Sequence, residues 1–461
     1  MPRRQLMRSV AFIAIMLTIL ATSSVTEAAG ESYTPPLLIS DRPITVSRLI
    51  DMARESRAPY RQSLADEDLI GILRAGAVGQ FLPSLSAGGS WSNSDSQQES
   101  IYVDGIPISQ GGTFVNSSSR WYLSANETLF SGLSRYYGYR QAELQVQNML
   151  LATERAYDVL VSDVKSAVYI VLAAERALEV EGEILNQRNE VLRLATTRYE
   201  TGDVIQIDVM QAEIDVGIQK NAVLSAEQSL QNAHELLNLA VGLDLESDYQ
   251  VAGELTPVLP AINPDSLVSI AIRARPDLKQ QRNLVESNEY GVKVRTADYI
   301  PTASAYASYS RSESQSDLFE WSVMPGDRNI SYGLNLNWTL FDGFSREVLR
   351  EQAVITKRKS MWDEHQFEQN ISASVRQQWR SLTRLYQQIE VADRNRELAR
   401  RQLDLEQERY RVGVSNQLNM RSAQVTFVTA EREYLARILD FFTTMATLER
   451  DLGMPLEEIA R

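Results

Sequence analysis

The chain of 461 residues contains no cysteine and only two histidines. Without cysteine it has no disulfide, no thiolate metal site and no lipid-acylated N-terminal cysteine. His234 and His365 lie in polar helical patterns, which are typical of solvated helix residues. After residue 28 no apolar run approaches the roughly 18 residues that a membrane-spanning helix needs, so a helical membrane protein is excluded. No nucleophile–base pair, metal cluster or phosphate loop is evident, so we predict no catalysis, no metal and no cofactor.

The N-terminus has the pattern of a secretory signal peptide. Three arginines precede an apolar run over residues 10–20, and small residues follow it. This run is short for a membrane span, so we expect cleavage near Ala28, with an uncleaved anchor as the alternative. Removing residues 1–28 takes away three arginines and Glu27, and the formal net charge becomes −14 − 3 + 1 = −16. Such an acidic chain is a poor phosphate binder, so we expect no nucleic-acid partner. An exported soluble protein, a surface protein and a membrane β-barrel remain open.

The chain is a duplicated unit. Leu129-Phe-Ser-Gly-Leu-Ser-Arg135 matches Leu340-Phe-Asp-Gly-Phe-Ser-Arg346, with an offset of 346 − 135 = 211 residues. Two breaks in otherwise helical stretches, residues 198–208 and 409–419, have the same offset, as do two helix-end glycines, Gly242 and Gly453. About 110 residues therefore stay in register without an insertion. Upstream, residues 81–87 match 299–305 with an offset of 218, and three prolines mark a linker over 244–264.

Two strand candidates open each half. Apolar residues alternate there with small polar residues, which predicts strands with one apolar and one polar face. The predicted apolar positions are Leu85, Ala87, Gly89, Trp91, Trp121, Leu123, Ala125 and Leu129 in the first half, and Tyr332, Leu334, Leu336, Trp338 and Leu340 in the second. Runs of about ten residues with aromatics toward the ends suit transmembrane strands. Strands of a soluble sandwich are the alternative.

After each strand pair the period changes to seven. The predicted heptad positions are Leu150, Tyr157, Val164, Val171, Leu178, Leu185, Leu192 and Tyr199, followed at the same offset by Met361, Glu368, Val375, Leu382, Ile389, Arg396, Leu403 and Tyr410. A sustained seven-residue repeat predicts long helices packed lengthwise against others. We expect one helix from Ser134 to about Thr201, a return helix from about Gln206 to Leu239, and shorter helices over 49–80 and 266–299.

Four strands cannot close a barrel in lipid, because open edges would leave backbone groups unsatisfied. A membrane-spanning form must therefore oligomerise, and three chains would supply twelve strands. The predicted fold is an internally duplicated α+β membrane protein, in which a trimeric 12-stranded transmembrane β-barrel with four strands per chain continues into a long α-helical periplasmic barrel.

Over nearly its whole mature length the sequence resembles the TolC family of outer-membrane efflux and secretion channels. The Leu-Phe-x-Gly-x-x-Arg segments, the Arg-Tyr-x-x-Gly breaks at 198–202 and 409–413, and Ala274-Arg-Pro-Asp-Leu278 carry this resemblance. It implies a homotrimer in the outer membrane with its helical tunnel in the periplasm. The implied partners are outer-membrane lipid, a periplasmic adaptor (membrane fusion) protein, and an inner-membrane ABC or proton-driven transporter.

The resemblance also implies roles for particular residues. The breaks would be periplasmic tips that the adaptor docks, with the docking residues Thr201, Gly202, Asp203, Val412, Gly413 and Val414. Gate candidates just inside the tips are Asp208, Tyr410, Asn419 and Ser422. In the best-known member, aspartates stand where this chain has Asn419 and Ser422, which argues against an acidic ring. Asp208 is also suited to stabilise a helix N-terminus. The strand-to-helix turns would use Gly132, Arg135, Gly343 and Arg346.

The predicted division of the chain follows from these signals. It comprises a signal peptide (1–28), an N-terminal periplasmic helical segment (29–80), a first strand pair with its extracellular loop (81–130), a first helical hairpin (131–243), a linker and helix opening the second repeat (244–298), a second strand pair (299–341), and a second helical hairpin with the C-terminal end (342–461). The expected function is a passive exit duct for type I protein secretion or for multidrug or small-molecule efflux. An exported coiled-coil stalk or adhesin with a soluble β head is the alternative.

Overall fold

The computed structural model describes residues 34–98, 101–103, 106–109, 112–316 and 327–459. The predicted signal peptide and its cleavage site lie outside the described residues. The chain divides into two compact units. We call them the strand unit, which contains the described residues of 71–144 and 286–358, and the helical unit, which contains the described residues of 34–70, 145–285 and 359–461.

The elements alternate between short strands and long helices. In chain order the described elements are β1 (Ile39–Thr45), α1 (Val46–Ser56), α2 (Ala58–Gly79), β2 (Ser84–Gln98), β3 (Ile101–Val103), β4 (Ile106–Ser109), β5 (Gly112–Phe130), α3 (Ser134–Glu200), α4 (Gln206–Val241), β6 (Asp248–Ala252), α5 (Pro264–Ala274), α6 (Pro276–Ala297), β7 (Thr302–Ser316), β8 (Asp327–Asn337), α7 (Ser345–Arg411), α8 (Gln417–Leu452) and α9 (Leu456–Ile459). Every helix among these is too short or too polar to cross a bilayer.

The strand unit contains an antiparallel sheet in the order β2-β5-β7-β8, and β3 pairs separately with β4. Directly opposite residues of antiparallel strands point to the same face. The register therefore gives the sheet one apolar and one polar face, as the alternation predicts. The apolar face carries Leu85, Ala87, Leu123, Tyr309, Ile330, Tyr332, Leu334 and Leu336, and the polar face carries Ser84, Ser86, Ser124, Asn126, Ser308, Ser331, Asn335 and Asn337.

The last strand ends earlier than expected. The alternation continues to Leu340, but β8 stops at Asn337. Asn337 pairs with Thr302, the first residue of β7, so no neighbouring strand within the chain pairs with the residues beyond it. The prediction of a strand through Leu340 was therefore wrong for the single chain.

The long helices match the heptad prediction closely in position but only partly in burial. In α7 Val375, Leu382 and Leu403 of the predicted seam are almost completely buried, whereas its first position, Met361, is 52 % exposed. In α3 the seam is buried only in its middle, and its two end positions, Leu150 and Tyr199, are each 45 % exposed. The heptad spacing identifies a packed helix but does not say which positions find partners inside one chain.

Each half builds its own hydrophobic core from equivalent positions. Leu49 and Val164 lie in the first core, and Leu267 and Val375 occupy the same places in the second. Leu267 follows Leu49 by 218 residues and Val375 follows Val164 by 211 residues, which are the two offsets of the sequence repeat. A third core joins α3, α7 and α8, and Tyr410 lies in it. The duplication thus extends from sequence to packing.

Two features of the helical unit correct the sequence prediction. Strands β1 and β6 form a parallel pair, although their residues fall in segments predicted as helix and linker. The short helices also break at Arg57 and at its counterpart in the repeat, Arg275, where the backbone leaves the helical conformation. Pro276 explains the second break, because proline disfavours a helical conformation in the residue before it and suits the first position of a new helix.

A charged cluster lies at the second break. Arg275 binds Asp277 at 2.6 Å and lies 3.6 Å from Asp451 at the end of α8. Arg155 of α3 lies 3.6 Å from both carboxylates. Burial raises the pKa of the neighbouring Asp158 to about 6. The Ala274–Leu278 motif therefore connects the start of the second half to α3 and to the end of α8.

The helix-end glycines have equivalent conformations but different surroundings. Gly242 and Gly453 terminate α4 and α8 with φ values of +83° and +71°. A β-carbon at Gly242 would lie 2.7 Å from the backbone oxygen of Ser56, whereas at Gly453 the nearest heavy atom would be 3.8 Å away. The first glycine therefore permits a close backbone approach that the second does not need.

We predict that Gly242→Ala destabilises the protein more than Gly453→Ala. Both variants place a β-carbon in the left-handed conformation, which costs about 1–2 kcal/mol. Only Gly242→Ala also places a β-carbon against the backbone of Ser56, so the end of α4 must move away from the end of α1. Thermal unfolding of the purified full chain, followed by circular dichroism, compares the two. Equal losses would show that the contact with Ser56 is unimportant.

Candidate functional site

Both predicted breaks are tight turns between long helices. Gly202, between α3 and α4, has a φ of +85°, and Gly413, between α7 and α8, has a φ of +80°. The amide of Gly202 donates to the Tyr199 carbonyl at 3.0 Å, and that of Gly413 donates to the Tyr410 carbonyl at 3.2 Å. Such helix ends favour glycine because a β-carbon is strained in the left-handed region. The two turns therefore have the same backbone geometry at equivalent positions of the repeat.

The two turns differ in how they are held. Arg198 donates from Nη1 to the carbonyl oxygen of Tyr410 at 3.0 Å, and its guanidinium lies 5.1 Å from the centre of the Tyr410 ring. The equivalent arginine of the second turn, Arg409, pairs instead with Glu406 on its own helix. Tyr410 is 1 % exposed, whereas its equivalent Tyr199 is 45 % exposed. One Arg–Tyr pair therefore fastens the first hairpin to the second.

The gate candidates are only partly brought together. Burial raises the pKa of the Tyr410 hydroxyl; Arg198 opposes this rise and Asp208 adds to it. Within the described residues the Tyr410 hydroxyl has no hydrogen-bond partner, so no bond joins it to Asp208. Asp208 lies in the first turn of α4, where a carboxylate stabilises the helix dipole. Asn419 and Ser422 lie exposed on α8, and their gate role stays a prediction.

The predicted docking residues form the exposed surface of the turns. Thr201 hydrogen-bonds Asp203 at 3.1 Å, and both side chains lie in solvent. Val412 and Val414 flank Gly413 and are about two-thirds exposed, as is Ile205 beside the other turn. Exposed branched aliphatic side chains at a turn are typical of a surface that meets a partner.

A charged seam behind the turns joins the two hairpins, and the sequence reading missed it. The buried carboxylate of Glu181 on α3 accepts from Gln219 at 2.5 Å and from Arg432 at 2.8 Å. Asp215 of α4 is also buried and lies 3.5 Å from Arg421. Both arginines belong to α8, so the second hairpin supplies the cations and the first the carboxylates.

Burial makes this seam costly to separate. Arg188 of α3 donates to the backbone oxygen of Asp215 at 3.0 Å, and burial lowers the pKa of its guanidinium. One oxygen of Asp215 has no partner within the described residues. The arginines Arg421 and Arg432 are about half exposed, so removing one of them leaves a buried carboxylate without its cation. The sequence repeat does not mark these residues, because their equivalents are mostly uncharged, as with Ala392 for Glu181.

The strand-to-helix turns also recur in both halves. Gly132 and Gly343 have positive φ values, and so do the residues after them, Leu133 and Phe344. A non-glycine residue in this region is strained and is held there by its surroundings. The turns are therefore sharply constrained at the place where each sheet strand becomes a long helix.

The predicted arginines clamp these turns. Arg135 donates to the backbone oxygen of Thr128 and to Glu127, and its guanidinium lies 5.1 Å from the ring centre of Phe81. Arg346 donates to the Leu340 carbonyl at 3.2 Å and lies 4.9 Å from the Tyr299 ring. Arg135 therefore bonds back to the end of β5 and Arg346 to the segment that follows β8, and each stacks on the aromatic residue that precedes the partner strand. The two stacking partners are themselves equivalent positions of the repeat.

Comparisons with known proteins agree with this architecture. The family model described as outer membrane efflux protein matches residues 53–243 and 267–454, one stretch in each half. Alkaline protease secretion protein AprF of Pseudomonas aeruginosa is 23 % identical over 83 % of this chain and 78 % of its own length. The probable efflux pump outer membrane protein TtgC of Pseudomonas putida is 22 % identical over 90 % of this chain and 81 % of its own.

Solved structures show the same fold. A crystal structure of CusC, described as undergoing transmembrane channel formation, superposes with a TM-score of 0.74 at 15 % identity. The match covers 91 % of this chain and 94 % of CusC. The duplicated order of short helices, strands and long hairpins is therefore a known arrangement.

We predict that Arg198→Ala loosens the two turns while Arg409→Ala does not. Removing Arg198 breaks its bond to the Tyr410 carbonyl and uncovers the Tyr410 ring, whereas Arg409 contacts only its own helix. Hydrogen exchange of peptides covering residues 198–208 and 409–419 measures the difference, and we expect faster exchange in both for the first variant alone. Equal exchange in the two variants would show that the Arg–Tyr pair does not fasten the turns.

Proposed function

The chain belongs to the outer membrane efflux protein family, and we propose that it is the exit duct of a tripartite export system. In this proposal three copies form a 12-stranded barrel in the outer membrane, and their helices continue it as a periplasmic tunnel. The duct is passive. It conducts proteins or small molecules that an inner-membrane transporter delivers through a periplasmic adaptor.

The observation that carries the proposal is the two-faced sheet with open edges. Strands β2 and β8 each pair on one side only within the described chain. The apolar face is exposed as well: Tyr332 and Leu334 are 81 % and 77 % exposed. The exposed apolar face is incompatible with water for a single chain, and the open edges are incompatible with lipid. Joining β8 of one copy to β2 of the next satisfies both constraints.

The dimensions of the apolar face fit a bilayer. Trp338 lies just after β8 and continues the alternation of the residues on the apolar face. Arg328 lies ten residues earlier on the same face. Ten residues span ~34 Å along a strand. At the ~40° tilt usual for such barrels this becomes ~26 Å across the membrane, close to the ~25 Å apolar band of outer-membrane barrels. The opposite face, rich in serine and asparagine, would line the lumen.

The long helices also leave an apolar seam for a neighbouring copy. Three residues of α7 at seven-residue spacing, Val391, Leu398 and Leu405, are more than half exposed. Ile207 and Ile214 of α4 and their equivalents Leu418 and Val425 of α8 are exposed in the same way. Seams with this period pack against other helices. Adjacent copies would bury them when the tunnel wall closes.

The turns at Gly202 and Gly413 are the proposed docking surface for the adaptor. Three copies would present six such turns at the end of the tunnel. Asp208, Tyr410, Asn419 and Ser422 lie on or behind them and are the proposed gate. Because the Tyr410 hydroxyl is buried within the single chain and has no hydrogen-bond partner among the described residues, a gate contact of Tyr410 requires the turns to rearrange.

The channel itself is testable with the purified chain. We expect a detergent-solubilised complex with three times the subunit mass, which conducts ions across a planar bilayer. A protein that leaves the membrane without detergent, or that gives no conductance, would contradict the proposal. That outcome would favour the exported stalk or adhesin instead.

Gly413→Pro tests the docking role of the turns. Proline restricts φ to negative values, which are incompatible with the observed +80°, so the turn must change shape. We expect loss of export, scored as survival on toxic dyes and as secreted protein, with trimers still in the membrane. Gly217→Ala is the control, because a β-carbon there meets no atom within 4 Å. Loss of the trimer in Gly413→Pro would assign the glycine to assembly rather than to docking.

A further inference from the structure

Two tyrosines on the polar face of the sheet lie over glycines of the neighbouring strands. Gly88 of β2 is directly opposite Tyr122 of β5, and Gly333 of β8 is directly opposite Tyr306 of β7. A β-carbon at Gly88 would lie 2.8 Å from three atoms of the Tyr122 side chain, Cε1, Cζ and Oη. A β-carbon at Gly333 would lie 3.0 Å from Oη of Tyr306. Each ring therefore occupies the space that a side chain would take on the neighbouring strand.

The two pairs occupy the same place in the repeat with their members exchanged. Tyr306 follows Gly88 by 218 residues, and Gly333 follows Tyr122 by 211 residues, which are the two offsets of the sequence repeat. The strands of each half also pair in the same register. This place in the repeat therefore holds one tyrosine and one glycine in each half, although the ring has changed strands. The exchange indicates that the structure requires the pair rather than either residue alone.

The adjacent Gly89 shows that the requirement is local. Gly89 points to the apolar face, where a β-carbon would lie 3.7 Å from its nearest atom, the backbone oxygen of Arg120. Its equivalent in the second half is Ala307, so the repeat accepts a side chain there. Glycine weakens a strand because it offers no side chain for packing, and an aromatic ring from the facing strand can replace that packing. Only Gly88 of these two glycines is covered in this way.

The glycines allow the two rings to lie along the sheet. Side chains on a strand ordinarily stand roughly perpendicular to the sheet. The hydroxyl ends of Tyr122 and Tyr306 instead reach the β-carbon positions of the facing residues. The two tyrosines are still 41 % and 42 % exposed, so part of each ring stays open on the polar face. The glycines therefore reduce the height to which the rings rise above the sheet.

We propose that the two tyrosine–glycine pairs set the bore of the barrel lumen. This inference rests on the proposed function, because the polar face lines a lumen only when three copies close the barrel. Three copies would carry six rings on the wall of that lumen. Rings that lie along the wall leave room for large substrates, whereas rings displaced by a side chain at the glycine positions would project into the path. The open part of each ring would also give substrates an aromatic contact on a surface rich in serine and asparagine.

Gly88→Val tests the bore. We expect trimers of this variant to conduct less in planar bilayers, because the new side chain displaces the Tyr122 ring toward the lumen. For the same reason the exclusion limit for polyethylene glycols of graded size should shift to smaller polymers. Gly89→Val is the matched control, since this residue points to the apolar face, and it should keep both values. If Gly88→Val assembles poorly, Gly88→Ala should shift both values in the same direction by less.

The repeat supplies a second variant. Gly88→Tyr combined with Tyr122→Gly gives the first half the arrangement of the second half. We expect the wild-type conductance and exclusion limit from this double variant, because one ring again lies over one glycine. Gly88→Tyr alone should shift the exclusion limit to smaller polymers, because two rings then compete for one place.

The outcomes separate the bore from the channel itself. A wild type that gives no conductance would overturn the proposed function. Conducting Gly88→Val trimers with the wild-type conductance and exclusion limit would overturn this inference alone. That holds even if thermal unfolding shows a loss of stability, since the pairs would then serve packing only. A lower conductance of the double variant with the exchanged residues would also contradict the inference, because the second half already has that arrangement.

Discussion

The unpaired backbone along β2 and β8 is the constraint on which the rest of the molecule depends. Each edge exposes a row of amide and carbonyl groups that water can satisfy and lipid cannot. The apolar face beside these edges is unfavourable in water. In the proposed channel a closed ring of several copies meets both demands. Within the chain, the strained turns at Gly132 and Gly343, clamped by Arg135 and Arg346, connect the strands to the long helices.

Duplication supplies the two similar halves, and divergence makes them act differently. The backbone of the two helical turns is the same, yet Arg198 reaches across to the second hairpin while Arg409 remains on its own helix. Gly242 allows the end of α1 to approach closely, whereas no atom comes as close to Gly453. A ring of three such chains therefore has six similar turns of two chemical kinds. Because the two kinds of turn have the same backbone, a binding partner could distinguish them only by their side chains.

Much of this architecture can be predicted from sequence, because it depends on periodicity. Alternation predicted the faces of the sheet, and seven-residue spacing predicted α3 to within a residue at each end. What the sequence reading missed depends on contacts between distant segments. The parallel pair of β1 and β6 is short and lies beside prolines. The seam between Glu181 and Arg432 joins residues far apart in the chain with no repeat to mark them. The end of β8 was also missed, because it is decided by where β7 begins.

The distribution of contacts along the hairpins argues for motion at the turns rather than throughout the tunnel. Behind the turns, buried carboxylates on α3 and α4 meet arginines of α8, and separating them would strand charges in a poorly solvated place. Beside the turns the two hairpins are joined by the Arg198–Tyr410 pair and by the end of the third core, whereas Val412, Val414 and Ile205 at the turns are exposed. Segments with few buried contacts open at lower free energy than segments with many. A partner that covers the exposed side chains and replaces one hydrogen bond could therefore displace the turns while the seam keeps the two hairpins of each chain together.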